Sequence, residues 1–125
     1  MKTPCPFINY LGIDIVTQKE GTASLAMPFR KKLTNPVGFV HGGAIASLAD
    51  AALAVALVSL LGHGEFFTAK MEVRFKAPTK HETLVCDSKI ESRRGDFLFG
   101  TATVREEGGK VVAEVQASFS APERR

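Results

Sequence analysis

The sequence has little of what marks disulfide-stabilised, metal-binding and nucleotide-binding proteins. Its two cysteines, Cys5 and Cys86, fit neither a disulfide framework nor a Cys-x-x-Cys motif, so we expect each to be a small buried or half-buried apolar residue. The three histidines, His41, His63 and His81, lie on separate predicted elements without metal-ligand spacing. GxxxxGK, GxGxxG, HExxH and GxSxG motifs are also missing. These absences imply no metal or redox cofactor.

The length, composition and net charge of the chain limit which kinds of protein it can be. The chain has 125 residues, of which 45% are hydrophobic, which predicts one folded domain over residues 1–125 and excludes a disordered chain. Sixteen Lys and Arg against thirteen Asp and Glu give a net charge of +3. This excess suits an acidic small-molecule ligand and is too weak to indicate nucleic-acid binding. The first six residues contain no apolar signal-peptide core, so we expect a cytoplasmic protein.

One long apolar run, residues 44–61, is rich in alanine and long enough to raise the question of a membrane span. Against a span, Asp50 near its middle would cost about 2.5–3.5 kcal/mol at the bilayer centre. The run is also flanked by glycines and histidines instead of basic residues. The pattern therefore predicts no membrane contact and a helix that begins after His41, ends at Gly62 and is buried on all sides in a folded protein.

The segments around this helix have a hydrophobic period of two, which predicts strands. The strand after the helix alternates most clearly, and its buried face is expected to hold Ala69, Met71, Val73 and Phe75. The last strand is expected to bury Val111 and the alternate residues after it. The predicted elements are a short helix at 6–12, strands at 13–19, 22–29, 69–76, 83–92, 97–106 and 110–120, and a loop at 30–40. Four consecutive half-buried strands indicate an antiparallel sheet that covers the apolar helix, an α+β architecture.

Asp50 is the one charged residue of the apolar helix. Helical spacing puts Ala46, Ser47 and Ala54 on its face, where their small side chains leave space beside it. A carboxylate among apolar residues needs a hydrogen-bonded partner or a catalytic role. Asp50 is therefore either a structural carboxylate at a wet gap or a backbone cap, or a pocket carboxylate that acts as nucleophile or general base. We favour the catalytic interpretation.

His41-Gly42-Gly43 opens the helix, and helix N-termini bind negative charge through free N–H groups. Glycine also lets a substrate carbonyl approach the backbone. Gly42 and Asp50 are eight residues apart, roughly 12 Å along a helix, whereas an oxyanion donor and a nucleophile must both lie within ~3 Å of one reacting centre. If both act, they come from different chains. Two such helices, antiparallel about a two-fold axis, would form two equivalent sites, so this hypothesis requires a homodimer.

Residues 35–43, NPVGFVHGG, followed by Ala49-Asp50, resemble the signature of hot dog fold acyl-CoA thioesterases of the PaaI-like, phenylacetic acid degradation-type family. The likeness covers nearly the whole chain, including the strand at 68–75 and the Ala77-Pro78 after it. The resemblance implies a long central helix wrapped by a six-stranded antiparallel sheet. It also implies hydrolysis of an aryl- or medium/long-chain acyl-CoA in a homodimer, often paired further into a tetramer.

The resemblance also implies roles for individual residues. The N–H of Gly42 would polarise the thioester carbonyl, and Asp50 of the partner subunit would attack it or activate water. Asn35 and His41 would orient the substrate or the water. The residues expected to lie along the substrate are Gly43, Ser47 and Thr68.

Basic turns supply candidates for the coenzyme A phosphates. Lys80, Arg93, Arg94 and Gly95 would meet them along the surface where relatives often bind coenzyme A, although solvated turn charges explain these residues equally well. The turn at 79–82 departs from the family pattern, because relatives usually have a glycine there. The resemblance therefore does not give the shape of that turn.

Two other functions compete with hydrolysis. A hot dog enoyl-CoA hydratase or acyl-carrier dehydratase usually places a catalytic His with an Asp or Glu differently, and the helix holds no second acid. A non-catalytic acyl-CoA binding module of the same fold would keep its ligand affinity without Asp50. Such regulators usually carry a fused DNA-binding segment.

Overall fold

A computed structural model describes residues 3–122 of the chain. It contains two α-helices, α1 (Pro6–Tyr10) and α2 (Gly42–Leu61), and a 3₁₀ turn at Lys31–Leu33. The strands are β1 (Asp14–Lys19), β2 (Thr22–Met27), β3 (Phe67–Phe75), β4 (Leu84–Arg94), β5 (Phe97–Glu106) and β6 (Val111–Ser120). The expectations for residues 1–2 and 123–125 lie outside the described residues.

The six strands form one sheet that wraps α2, which confirms the predicted α+β architecture. The strand order is β1-β2-β4-β5-β6-β3, and every neighbouring pair is antiparallel. The core lies between the inner face of the sheet and the helix. Its largest fully buried side chains include Leu48, Leu53 and Leu57 of α2 and Leu25, Leu84, Leu98 and Phe119 of the sheet.

Helix α2 is apolar because the sheet encloses it. Ten of its twenty residues are buried, and its alanines combine high helix propensity with side chains small enough for close packing. Gly62 ends the helix as predicted, with φ 79° and its N–H bonded to the carbonyl of Val58 at 2.9 Å. By length and a mean hydropathy of 2.2, α2 meets the criteria for a membrane span, and 56% of that window is buried in the fold. Packing inside the sheet accounts for its composition.

The expected burial of one face of β3 is wrong for a single protomer. Met71 and Val73 are only half-buried, and Phe75 is 56% exposed. Ala69 is exposed because a β-bulge shifts the register there, so that Thr68 takes the inward position. The physical reason is position, since β3 is an edge strand that α2 covers incompletely.

The expected burial of Val111 is also wrong. Val111 is 40% exposed, whereas Val112 is fully buried. Val104 pairs with Ala113 and Arg105 with Val111, which makes Val112 the extra residue of a bulge. A bulge changes which residues face inward, and hydrophobic alternation alone cannot locate it.

The open edge of β3 lies beside the first half of α2. Among the described strands β3 pairs with β6 alone. It runs antiparallel to the helix, with Thr68 next to Asp50 and Phe75 next to Gly42. Its nine residues are mostly exposed, including Phe67 at 64%. A long exposed edge with unpaired backbone groups is a template for pairing with another strand.

Candidate active site

Asp50 lies half-buried on α2 and is held by Thr68. The Thr68 hydroxyl donates to Asp50 Oδ1 at 2.7 Å. The bulge in β3 turns Thr68 to the inner face of the sheet, where its cross-strand partner Phe119 also points. No hydrogen bond to Asp50 Oδ2 is found within residues 3–122. One carboxylate oxygen is therefore anchored and the other is available to a ligand.

The N-terminus of α2 is capped by the side chain of His41. Its Nδ1 accepts the N–H of Gly43 at 2.8 Å, so the neutral ring carries its proton on Nε2. A Cβ at Gly43 would lie 3.0 Å from this nitrogen, and glycine thus allows the close approach. The N–H groups of Ala44 and Ile45 bond to the His41 carbonyl. The Gly42 N–H has no hydrogen-bond partner in the part of the chain described, and so it is a free donor at the positive end of the helix.

A single protomer does not bring Gly42 and Asp50 to one reacting centre. Both lie on the continuous helix α2, eight residues and therefore roughly 12 Å apart along its axis. Phe75 packs against Gly42, where a Cβ would lie 3.3 Å from its Cζ. Strand β3 thus connects the two places, with Thr68 beside the carboxylate and Phe75 beside the N–H donor.

Asn35 shapes the loop that leads into α2. Its Oδ1 accepts the N–H groups of Val37 at 3.0 Å and Phe39 at 3.1 Å, and its backbone N–H bonds to the Phe39 carbonyl at 2.8 Å. The side-chain oxygen is therefore occupied by an Asx turn. The Nδ2 amide has no partner within residues 3–122 and is the group available to a substrate.

Lys80 packs on the same loop, with its Nζ 4.5 Å from the centroid of the Phe39 ring. The turn after Pro78 contains His81 at φ 60°. This is the left-handed conformation that glycine usually adopts. The turn therefore has a glycine-like backbone at His81, and it lies next to the Asn35 loop.

Arg93, Arg94 and Gly95 lie far from Asp50 within the protomer. Arg93 pairs with Leu98, Leu98 pairs with Phe119, and Phe119 pairs with Thr68. Three inter-strand spacings, roughly 14 Å, therefore separate Arg93 from Thr68, the residue that contacts Asp50. Its guanidinium donates to the carbonyls of Gly95 at 2.9 Å and Ala121 at 3.2 Å. Arg94 is exposed at the end of β4. This turn is a separate basic surface.

Neither cysteine supplies a nucleophile to the site. Cys86 is buried, as predicted, and burial together with the nearby charge of Asp87 raises its pKa from 9.0 to about 12. Cys5 is exposed, contrary to expectation, because it precedes α1, a surface helix with no buried residue.

The sequence interpretation missed a cavity beside the helix N-terminus. It lies between α1, the 3₁₀ turn and α2, has a volume of about 370 Å³, and is lined by residues that include Phe7, Tyr10, His41, Gly43 and Ser47. The signal was the i, i+3 spacing of two aromatic residues, Phe7 and Tyr10.

Comparisons with known proteins agree with this architecture. A relative named "Putative esterase SSO1253" in Saccharolobus solfataricus is 29% identical over 84 residues, 67% of this chain and 56% of the relative. The chain thus spans little more than half the length of that relative. The PaaI protein from the phenylacetic acid degradation operon of E. coli has 23% identity and a TM-score of 0.86, over 96% of this chain and 86% of that one.

A hypothetical thioesterase of Streptococcus pneumoniae, solved with coenzyme A, has 16% identity and a TM-score of 0.83, over 90% of this chain and 88% of that one. At these identities the solved structures establish the hot dog fold. The sequence profile of the thioesterase superfamily matches residues 37–113. This range runs from the Asn35 loop through α2 and into β6, and so includes both the free helix N-terminus and the Asp50–Thr68 pair. The chain belongs to the thioesterase superfamily.

Proposed function

We propose that the protein is an acyl-CoA thioesterase, which hydrolyses an acyl-CoA to a carboxylic acid and coenzyme A. The observation that carries the proposal is that α2 holds two groups suited to acyl transfer: a Gly42 N–H with no hydrogen-bond partner among residues 3–122, and a half-buried Asp50 carboxylate with one oxygen anchored by Thr68. A free backbone donor at a helix N-terminus and a positioned carboxylate are the two groups that acyl transfer requires.

Each group has a defined part in the reaction. The Gly42 N–H would stabilise the carbonyl oxygen as it gains negative charge in the tetrahedral species. Asp50 either attacks the carbonyl carbon or takes a proton from the attacking water. In the general-base route, collapse of the tetrahedral species breaks the carbon–sulfur bond, and the proton taken by Asp50 passes to the departing thiolate of coenzyme A. In the nucleophilic route, collapse releases the thiolate and leaves an acyl–aspartyl anhydride. Water then hydrolyses the anhydride to the carboxylic acid, restores the Asp50 carboxylate and supplies the proton of the thiol. The Thr68 bond to Oδ1 would keep Oδ2 directed at the reacting carbon.

Two protomers would complete the site. Antiparallel pairing of two β3 edges, centred midway between Thr68 and Phe75, would bring the Thr68 end of each strand to the Phe75 end of the other. Because Thr68 contacts Asp50 and Phe75 contacts Gly42, each carboxylate would then face the N–H donor of the partner protomer. The pairing would also cover the exposed face of β3 and satisfy its open edge.

The net charge of the chain and one structural relative support an acyl-CoA substrate. The net charge of +3 favours an anionic substrate, and the S. pneumoniae structure contains coenzyme A. We propose that the diphosphate and the 3′-phosphate of coenzyme A meet Lys80 near the Asn35 loop or the Arg93–Arg94 turn of a neighbouring protomer.

The test is coenzyme A release from a panel of aryl- and fatty-acyl-CoA substrates. Asp50→Asn keeps an oxygen that can accept the Thr68 bond but removes the charge, and we expect kcat/KM to fall about 10²–10⁴-fold. Asp87→Asn is the matched control, because this exposed carboxylate lies on the outer face of the sheet, where it bonds to Ser24 and Arg105. Equal rates for the wild type and Asp50→Asn would refute the proposal. Tight acyl-CoA binding without turnover by the wild type would identify a binding module instead.

A further inference from the structure

The two backbone N–H groups before Gly42 are held by different segments of the fold. The N–H of Val40 donates to the carbonyl of Thr79 at 2.9 Å, and the N–H of His41 donates to the carbonyl of Leu33 at 2.7 Å. These two bonds restrain the peptide groups that lead into α2. The direction of the free Gly42 N–H, the proposed oxyanion donor, therefore depends on the segments that contain Leu33 and Thr79.

Thr79 ends a short segment that contacts the beginning of α2 at two places. The segment comprises residues 75–79, which continue from the end of β3. Phe75 packs against Gly42, where a Cβ would lie 3.3 Å from its Cζ, and the Thr79 carbonyl binds the N–H of Val40. Thr79 is buried, with 2% of its surface exposed. Its hydroxyl therefore needs a hydrogen-bond acceptor inside the protein.

Glu106 provides that acceptor. The Thr79 hydroxyl donates to Glu106 Oε2 at 2.6 Å, and the Glu106 side chain is only 16% exposed. A hydrogen bond to a charged acceptor that is shielded from water is stronger than one between neutral groups. Lys110 supports the same segment, because its Nζ donates to the Pro78 carbonyl at 2.9 Å and lies 3.9 Å from Glu106 Oε2. Glu106 and Lys110 border the turn between β5 and β6, where the Glu106 N–H bonds to the Lys110 carbonyl at 2.8 Å.

A continuous chain of bonds thus runs from the β5–β6 turn to the beginning of α2. It passes from the Glu106 carboxylate to the Thr79 hydroxyl, and from the Thr79 carbonyl to the Val40 N–H, two residues before Gly42. Stability alone does not require a carboxylate here, because replacing a hydrogen-bonded pair with apolar groups of the same shape can be nearly neutral. A charged hydrogen bond is directional, however, and it fixes Thr79 in one orientation.

We infer that Glu106 is a positioning residue, which acts through Thr79 to hold the Gly42 N–H in the direction of the substrate carbonyl oxygen. The inference rests on the proposed thioesterase function. Glu106 itself does not touch the substrate. Because an oxyanion donor binds more strongly in the transition state than in the ground state, a misdirected N–H lowers kcat and leaves KM nearly unchanged.

The kinetic experiment breaks the Glu106–Thr79 bond from either side in the full chain. Glu106→Ala removes the acceptor and Thr79→Val removes the donor, and in each we expect kcat for coenzyme A release to fall about tenfold, with KM within about twofold of the wild type. Glu106→Gln keeps an oxygen that can accept the hydroxyl and should retain most of kcat. Asp87→Ala is the matched control, because Asp87 also accepts a hydroxyl, that of Ser24, and also pairs with a cation, Arg105, but lies on the outer face of the sheet.

NMR of the protein without substrate reports the position of the donor directly. In Glu106→Ala, hydrogen exchange of the Val40 amide should accelerate by about tenfold, and the ¹H–¹⁵N resonance of Gly42 should shift. Glu106→Gln should restore both, and the amide of Leu53 in the middle of α2 should exchange as in the wild type. A general loss of stability would instead accelerate exchange at Leu53 as well, and would contradict a positioning role.

The two measurements separate this inference from the proposed function. Unchanged Val40 exchange and an unchanged Gly42 resonance in Glu106→Ala overturn the inference, as does an unchanged kcat when both amides respond. If Glu106→Ala does not fold, Thr79→Val decides by the same criteria. If the wild type hydrolyses no acyl-CoA, the thioesterase function fails, whereas the amide measurements still support or overturn the placement of the Gly42 N–H by Glu106.

Discussion

The Asp50 carboxylate depends on a single hydroxyl for its position. Thr68→Val keeps the shape of the side chain and removes the donor of the 2.7 Å bond. A hydrogen bond to a charged group contributes about 1.5–3 kcal/mol, so we expect kcat to fall by about tenfold or more, whereas KM changes less than about twofold. Thr68→Ser should restore kcat. Steady-state kinetics of the three proteins measure this, and an unchanged kcat in Thr68→Val would show that the bond is structural only.

The sequence predicts the candidate catalytic residues better than their partners. Asp50 is visible because a lone carboxylate interrupts an apolar run, and Gly42 because glycines precede a helix. The family resemblance placed Thr68 along the substrate, but its hydrogen bond to Asp50 is known only from the structure. Its inward orientation depends on the bulge at Ala69, and a bulge that moves the register by one residue leaves no trace in hydrophobic alternation.

Substitutions at His41 test whether its side chain caps α2, orients the substrate or water, or does both. His41→Ala removes the acceptor for the Gly43 N–H and should cost about 1 kcal/mol of unfolding free energy, or roughly 4 °C in Tm. His41→Asn supplies another good capping oxygen and should keep most of that stability. If Nε2 of His41 orients substrate or water, both variants lose activity. Thermal denaturation and coenzyme A release, measured together, separate the roles, and full activity of His41→Asn would limit His41 to capping.

The sequence predicts the bounds of helices and strands well where contacts within one chain determine them. The bounds of β5 match the prediction at 97–106, and α2 ends at Leu61, one residue before the left-handed Gly62. Strand β3 is the informative exception. Its pattern of Met71, Val73 and Phe75 predicts a buried face, but these residues stay partly or largely exposed in the protomer. A buried pattern on an exposed edge strand is expected when the missing cover comes from a second chain.

At the scale of the whole molecule, the shared site can be tested by mixing two inactive variants. Asp50→Asn removes the carboxylate and Gly42→Pro removes the N–H donor. Proline is tolerated at the first position of a helix. The extended conformation of His41, φ −62° and ψ 135°, suits a residue before proline. A Cβ added at Gly42 would lie 3.3 Å from Cζ and 3.4 Å from Cε1 of Phe75, whose side chain is 56% exposed in the protomer. Each variant alone should fold as a dimer and be inactive.

When the two variants are unfolded and refolded together in equal amounts, half of the dimers should contain one chain of each kind. If each site takes Asp50 from one protomer and Gly42 from the other, a mixed dimer has one site with both groups intact and one with both groups lost. The mixture should therefore recover about a quarter of the wild-type activity. If the two groups came from the same chain, every site in a mixed dimer would lack one of them and no activity would return. Mixed dimers purified with two different affinity tags should hold about half of the wild-type activity per dimer, and their inactivity would contradict the shared site even if the wild type is an active dimer.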